Sequence, residues 1–292
     1  MRRGFTMIEL IFSLVIIAVV ASVGTDVIRM VFERYVASRD LERGQSDVRR
    51  TLDLLASRLQ YRIKNSAIGR NTGNNQIIAI DNLALNTNFE VLEWIGIAYE
   101  SQRGMNKAGW TGYAIQTGEN SLGDPGANFN TAALSIETEL TSAIDPYGSR
   151  SVVLVFAGKD GRGSYTSDQN SSWGWHADDN LSSYFAVTPN TETNLTLTNL
   201  APSNPTDFSE QYFLARSAYA LWVDEGNLTL VYNYRPWLGE TLADGTSTPL
   251  LENVTTFHFR ESGGVLRLIL CVSLPDGVMG DTVEYCRERS VL

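Results

Sequence analysis

The chain has little of what most chemistry requires. Its 292 residues include only two cysteines and two histidines, and 8 prolines. Two cysteines cannot build a disulfide scaffold or a cysteine-rich zinc centre. The histidines, His176 and His258, stand far apart and outside the His-Glu-x-x-His spacing. No phosphate loop, dinucleotide glycine fingerprint or nucleophile elbow is present. Lysine and arginine total 23 against 33 aspartates and glutamates, a net charge of -10. A nucleic-acid binder working by bulk charge is therefore not expected. Hydrophobic residues at 43% and aromatics at 10% exclude a disordered or collagen-like chain.

The charge is divided unevenly. Residues 1–70 carry 12 basic and 7 acidic side chains, whereas residues 71–292 carry 11 and 26. The acidic part, rich in Asn, Thr, Ser and Gly, has the composition of an exported domain.

The N-terminus reads MRRGFTMIELIFSLVIIAVVASVG. After Arg2 and Arg3, the 19 residues from Phe5 to Val23 are apolar except for polar Thr6, Ser13 and Ser22 and one charge, Glu9. As a helix this stretch is roughly 28 Å long, close to a bilayer's hydrocarbon core of about 30 Å. It is too long for the apolar core of a cleaved secretory signal. An ordinary anchor fits the length but leaves Glu9 unexplained, since an unpaired carboxylate at that depth costs about 2–3 kcal/mol.

Gly4-Phe5-Thr6-Met7-Ile8-Glu9-Leu10 resembles the cleavage and methylation motif of type IV pilins and type II secretion pseudopilins. The resemblance implies that a prepilin peptidase cuts between Gly4 and Phe5 and methylates the new amine of Phe5. It implies that Glu9 pairs with the N-terminal amine of a neighbouring subunit, so that two groups costly alone in lipid favour one docking register. It also implies a leader at 1–4, an assembly helix at 5–24 embedded in inner-membrane lipid, and other pilin or pseudopilin subunits as partners. Arg2 and Arg3 would hold the leader in the cytoplasm, leaving the rest in the periplasm.

The helical pattern continues past the membrane. Val48, Leu52, Leu55, Leu59 and Ile63 recur at helical steps, predicting an amphipathic continuation over 25–66. Gly24 and Gly44 are its expected bend points. Arg39, Arg43, Arg49, Arg50 and Arg58 read as a solvated face, and a lipid or partner site is the alternative. From Gln76 the pattern changes to short apolar runs between turns. These predict strands near 76–80, 91–99, 151–157, 195–199, 212–223, 228–234, 254–259, 265–274 and 282–292. Asp224-Glu225-Gly226-Asn227 and Glu261-Ser262-Gly263-Gly264 read as hairpin turns. The expected fold class is α+β: one long helix packed on a mainly antiparallel sheet domain over 76–292. That order is similar to a pilin. The length favours a minor pilin or pseudopilin, and the late hairpins with Leu251-Glu252-Asn253-Val254 resemble the J-type pseudopilin.

Cys271 and Cys286 flank a turn and form a disulfide if exported; two buried free thiols are the alternative. Some pseudopilins bind calcium through loop carboxylates. Asp160, Asp168, Asp178, Asp179 and Asn180 offer oxygen ligands, but without EF-hand spacing they favour a solvated acidic loop. Trp173-Gly174-Trp175-His176, with Tyr165 and Tyr184, suits either a partner anchor or a local core. Four Asp/Glu-x-Asn-x-Ser/Thr segments resemble bacterial glycosylation sequons. No cofactor is called for, and a non-enzymatic fibre subunit is the expectation. The alternatives are a membrane-anchored periplasmic binding or sensor domain and a tethered hydrolase.

Overall fold

The computed structural model of the chain describes residues 6–83, 89–98, 112–113, 115–117, 127–130, 152–156, 173–177, 179, 181, 183–189, 194–199, 211–275 and 282–292. Helix α1 (Met7–Leu59) runs unbroken for 53 residues, about 80 Å at 1.5 Å per residue. Strands follow in chain order: β1 (Ile68–Arg70), β2 (Ile77–Ala79), β3 (Val91–Ile97), β4 (Gly112–Tyr113), β5 (Ile115–Thr117), β6 (Ala127–Asn130), β7 (Val153–Phe156), β8 (Phe185–Pro189), β9 (Asn194–Asn199), β10 (Gln211–Asp224), β11 (Asn227–Tyr234), β12 (Thr246–Leu251), β13 (Val254–Ser262), β14 (Val265–Pro275) and β15 (Thr282–Val291).

They form two antiparallel sheets. The larger follows the order β2-β1-β3-β10-β7-β8-β9-β6-β5, with β4 and β11 also paired to β10, and β12 to β11. The smaller is the meander β13-β14-β15. One long helix on antiparallel sheets is the α+β arrangement that the sequence predicts.

The helical periodicity places its core face. Val48, Leu52, Leu55 and Leu59 are buried. They join Leu268 and Leu270 of β14, Leu92 and Trp94 of β3, and Leu228 and Leu230 of β11 in one core. The carboxyl-terminal part of α1 therefore lies between the small sheet and one face of the large one. The other face has its own core. Val91 and Ile95, alternating with Leu92 and Trp94 along β3, meet Ala218, Ala220, Trp173, Tyr184 and Trp237 there.

The helix ends at Leu59, short of the expected end near residue 66. Backbone bonds to β3 replace helical ones: Ile63 N–H donates to the Ile95 carbonyl at 2.9 Å, and Ile97 N–H donates to that of Tyr61 at 2.7 Å. Ile63 is buried in the second core, so its apolar character is explained by a different surface. The strand region correspondingly begins with β1, ahead of residue 76. Arg62, in this corner, is fully buried and donates to the carbonyls of Leu59 (2.8 Å) and Leu292 (3.3 Å). Burial lowers its pKa, and Glu261 at 3.6 Å opposes that shift.

α-Helix persists through both Gly24 and Gly44. A Cβ on Gly44 would lie 2.3 Å from Leu274 Cδ2, so this glycine lets α1 approach β14 closely. The turn residues Glu225 and Gly226 have φ of 47° and 79°, and Gly263 and Gly264 have 61° and 78°. Two consecutive left-handed residues match the twist of a tight hairpin.

Cys271 of β14 and Cys286 of β15 stand directly opposite each other. Their sulfurs are bonded, with the Cα atoms 4.0 Å apart and a sequence separation of 15. Closing a loop of that length contributes about 3 kcal/mol in the chain-entropy model. Replacing both cysteines with serine is expected to lower the oxidised protein's stability by about that amount. An unchanged melting temperature by circular dichroism would show that the bond adds nothing.

Candidate functional site: the projecting helix

From Met7 to about Tyr35 the helix makes no core. Ile8 is 66% exposed, Phe12 64%, Ile28 70% and Phe32 65%. The window of α1 apolar enough to cross a membrane contains no buried residue. Aliphatic side chains on every face of a projecting helix suit lipid or the helices of other chains, not water. Two of its hydroxyls bond back to the helix's own carbonyls. Thr25 Oγ donates to the carbonyls of Ala21 (3.0 Å) and Ser22 (2.7 Å). Ser13 Oγ donates to the Glu9 carbonyl. Such back-bonding keeps hydroxyls compatible with an apolar medium.

Glu9 is placed by the helix start. Thr6 is the N-cap, in extended backbone at φ -76° and ψ 150°, and Glu9 is the third helical residue. The Glu9 carboxylate accepts the Thr6 N–H at 3.4 Å and the Thr6 hydroxyl at 3.2 Å through the same oxygen. A carboxylate in the first turn also suits the helix dipole. Both contacts are long, and among the described residues Glu9 has no ion pair. The Thr-x-x-Glu spacing that signals this cap is legible in the sequence. Gly4 and Phe5, the expected cleavage and methylation positions, lie outside the described residues.

The other candidates are dispersed. His258 is exposed on β13, and His176 is half-buried, its backbone N–H donating to Asp179 Oδ2 at 3.1 Å. Of the acidic loop residues only Asp179 is described; Asp160, Asp168, Asp178 and Asn180 lie outside the described residues, as does Tyr165. Trp173 and Trp175 are buried. Trp175 Nε1 donates to the Ser66 carbonyl at 3.1 Å, and the Tyr184 hydroxyl donates to that of Trp173 at 2.8 Å. Trp173, Trp175 and Tyr184 belong to a local core, and among the described residues of this loop no aromatic stands at the surface as an anchor. Cys271, Glu284 and Cys286 bring two sulfurs and a carboxylate together, but the sulfurs are spent on each other.

A buried polar network went unread in the sequence. Glu93, 1% exposed, pairs with Arg70 and accepts the Tyr234 hydroxyl at 2.9 Å. Arg70 also donates to Asn75 Oδ1 (2.6 Å) and the Trp175 carbonyl (3.2 Å). Burial, then the charge of Glu93, holds the Tyr234 pKa well above its ordinary value.

No curated protein and no solved structure matches the chain. Residues 1–25 match the family model of the prokaryotic N-terminal methylation motif. That motif, at the head of an exposed apolar helix, supports a type IV pilin-like or pseudopilin-like subunit.

Proposed function

We propose that the chain is a minor pilin or pseudopilin, made as a precursor, cut after Gly4, methylated on Phe5 and built into a fibre. The observation that carries this reading is the projecting helix: apolar on all faces, exposed, and headed by the methylation motif. A helix of that kind is stable only in a bilayer or packed among other helices. Both states belong to a fibre subunit, which waits in the membrane and is then extracted. Arg2 and Arg3 favour a cytoplasmic leader, which puts the β-rich part and its disulfide in an oxidising periplasm. The length and the late hairpins, β10–β11 and β13–β14, support an initiating or tip role of the J type.

Intact-mass analysis of the protein from its own host tests the reading. The expected first residue is N-methylated Phe5, and deleting the processing peptidase should restore Met1 to Gly4. Native protein that still begins at Met1 would instead indicate a tethered binding or sensor domain.

A further inference from the structure

Where the last turn of α1 passes over the large sheet, a cleft of about 470 Å3 remains open. Its floor is the half-buried Tyr219 ring of β10, backed by buried Trp94 of β3, with which it stacks at a centroid distance of 5.6 Å and 17°. Gly96 keeps that floor flat, because a Cβ there would come within 2.3 Å of the Tyr219 ring. Leu54, Arg58 and Tyr61 form the helix-side wall, and Arg216 forms the sheet-side wall.

Arg216 reaches the cleft through a defect in the strand. The pairing of β10 with β3 shifts register between Ala215 and Ser217. Ala215 on one side of the shift, and Ala218 and Ala220 on the other, all face the second core. An odd and two even positions share one face, so the extra residue, Arg216, is turned toward the helix side. Bulges commonly re-aim a side chain in this way at functional sites. A cation in the last helical turn, such as Arg58, also suits the helix dipole. That argument does not reach Arg216, which comes from another element.

Among the described residues, two arginines and no carboxylate line this cleft, although residues 71–292 are strongly acidic. A guanidinium has five donors in a fork that fits a carboxylate, so one already holding a partner keeps donors to spare. The aromatic floor suits an apolar side chain beside that carboxylate. Arg58 lies 35 positions beyond Val23, about 50 Å of helix, so lipid headgroups at the apolar stretch do not reach the cleft. We propose that the cleft between the end of α1 and the β10 bulge binds an acidic, apolar-flanked segment of a partner protein, with Arg58 and Arg216 holding its carboxylate over the Trp94–Tyr219 floor.

The test uses the full chain in detergent micelles and two fluorescein-labelled peptides, Gly-Asp-Leu-Glu-Phe-Gly and its neutral counterpart Gly-Asn-Leu-Gln-Phe-Gly. Fluorescence anisotropy should show saturable binding of the acidic peptide at least tenfold tighter than the neutral one. The double variant Arg58→Gln/Arg216→Gln should lose that preference, and Gly96→Ala should weaken the acidic peptide by tilting the floor. Circular dichroism monitors folding. Arg58 is exposed, so Arg58→Gln alone must weaken the acidic peptide severalfold even if Arg216 variants fold poorly. Equal binding of the two peptides, no saturable binding, or unchanged affinity in Arg58→Gln would overturn the proposal.

Discussion

Replacing Glu9 with leucine should leave the chain in the membrane and cut its recovery in fibres at least tenfold. Among the described residues the carboxylate touches only its own first turn, through two long contacts to Thr6. A capping interaction of this type is worth about 1 kcal/mol, and an unpaired carboxylate in the span costs about 2–3 kcal/mol. Leucine removes both, so insertion is unchanged or improved. What leucine cannot supply is a partner for the amine that cleavage exposes on a neighbour. That amine, buried alone in the packed helices, disfavours the docked state. The measurement compares sheared fibre and membrane fractions by immunoblot in wild type and Glu9→Leu, with Phe5 methylation as the control for processing. Wild-type fibre recovery from the variant would remove Glu9 from assembly, leaving the Thr6 cap as its role.

The parts of the fold that the sequence makes legible are those governed by local pattern. Val48, Leu52, Leu55 and Leu59 repeat at helical spacing and are buried on one face. β10–β11 and β13–β14 are apolar runs joined by turns whose left-handed backbone is visible as Glu-Gly and Gly-Gly. β12 was missed because Thr246-Ser247-Thr248-Pro249 has neither alternation nor bulk, and it is a strand only because β11 offers it an edge. The helix end was misplaced because Ile63 satisfies helical spacing while β3, some thirty residues later, takes its backbone. Competition of that kind has no local signature. The same limit applied to the projecting helix: the motif and Glu9 could be read directly, whereas the cleft depends on a bulge that only the β10–β3 pairing reveals.

The buried network around Glu93 gives the largest expected effect on stability. Its members come from three strands, β1, β3 and β11, and each depends on the others. Glu93→Leu would strand the Arg70 guanidinium, whose side chain is 11% exposed, and deprive the Tyr234 hydroxyl of its acceptor. Removing one partner of a buried pair costs about 3–5 kcal/mol. In a chain of this size that corresponds to a fall in melting temperature of roughly 6–20 °C. The double variant Arg70→Met/Glu93→Leu should cost less than the two single changes together, since no charge is then left unpaired. Strict additivity would mean that the pair does not interact. Tyr234 adds a pH dependence whose sign is fixed. Its raised pKa favours the neutral phenol in the folded state, so that contribution is intact below the ordinary tyrosine value of about 10 and is lost as pH climbs above it. Thermal melts between pH 8 and 11 should therefore show an alkaline loss of stability in the wild type that Tyr234→Phe reduces. The Phe variant should start from a lower plateau, because Glu93 then lacks the hydroxyl that faces it.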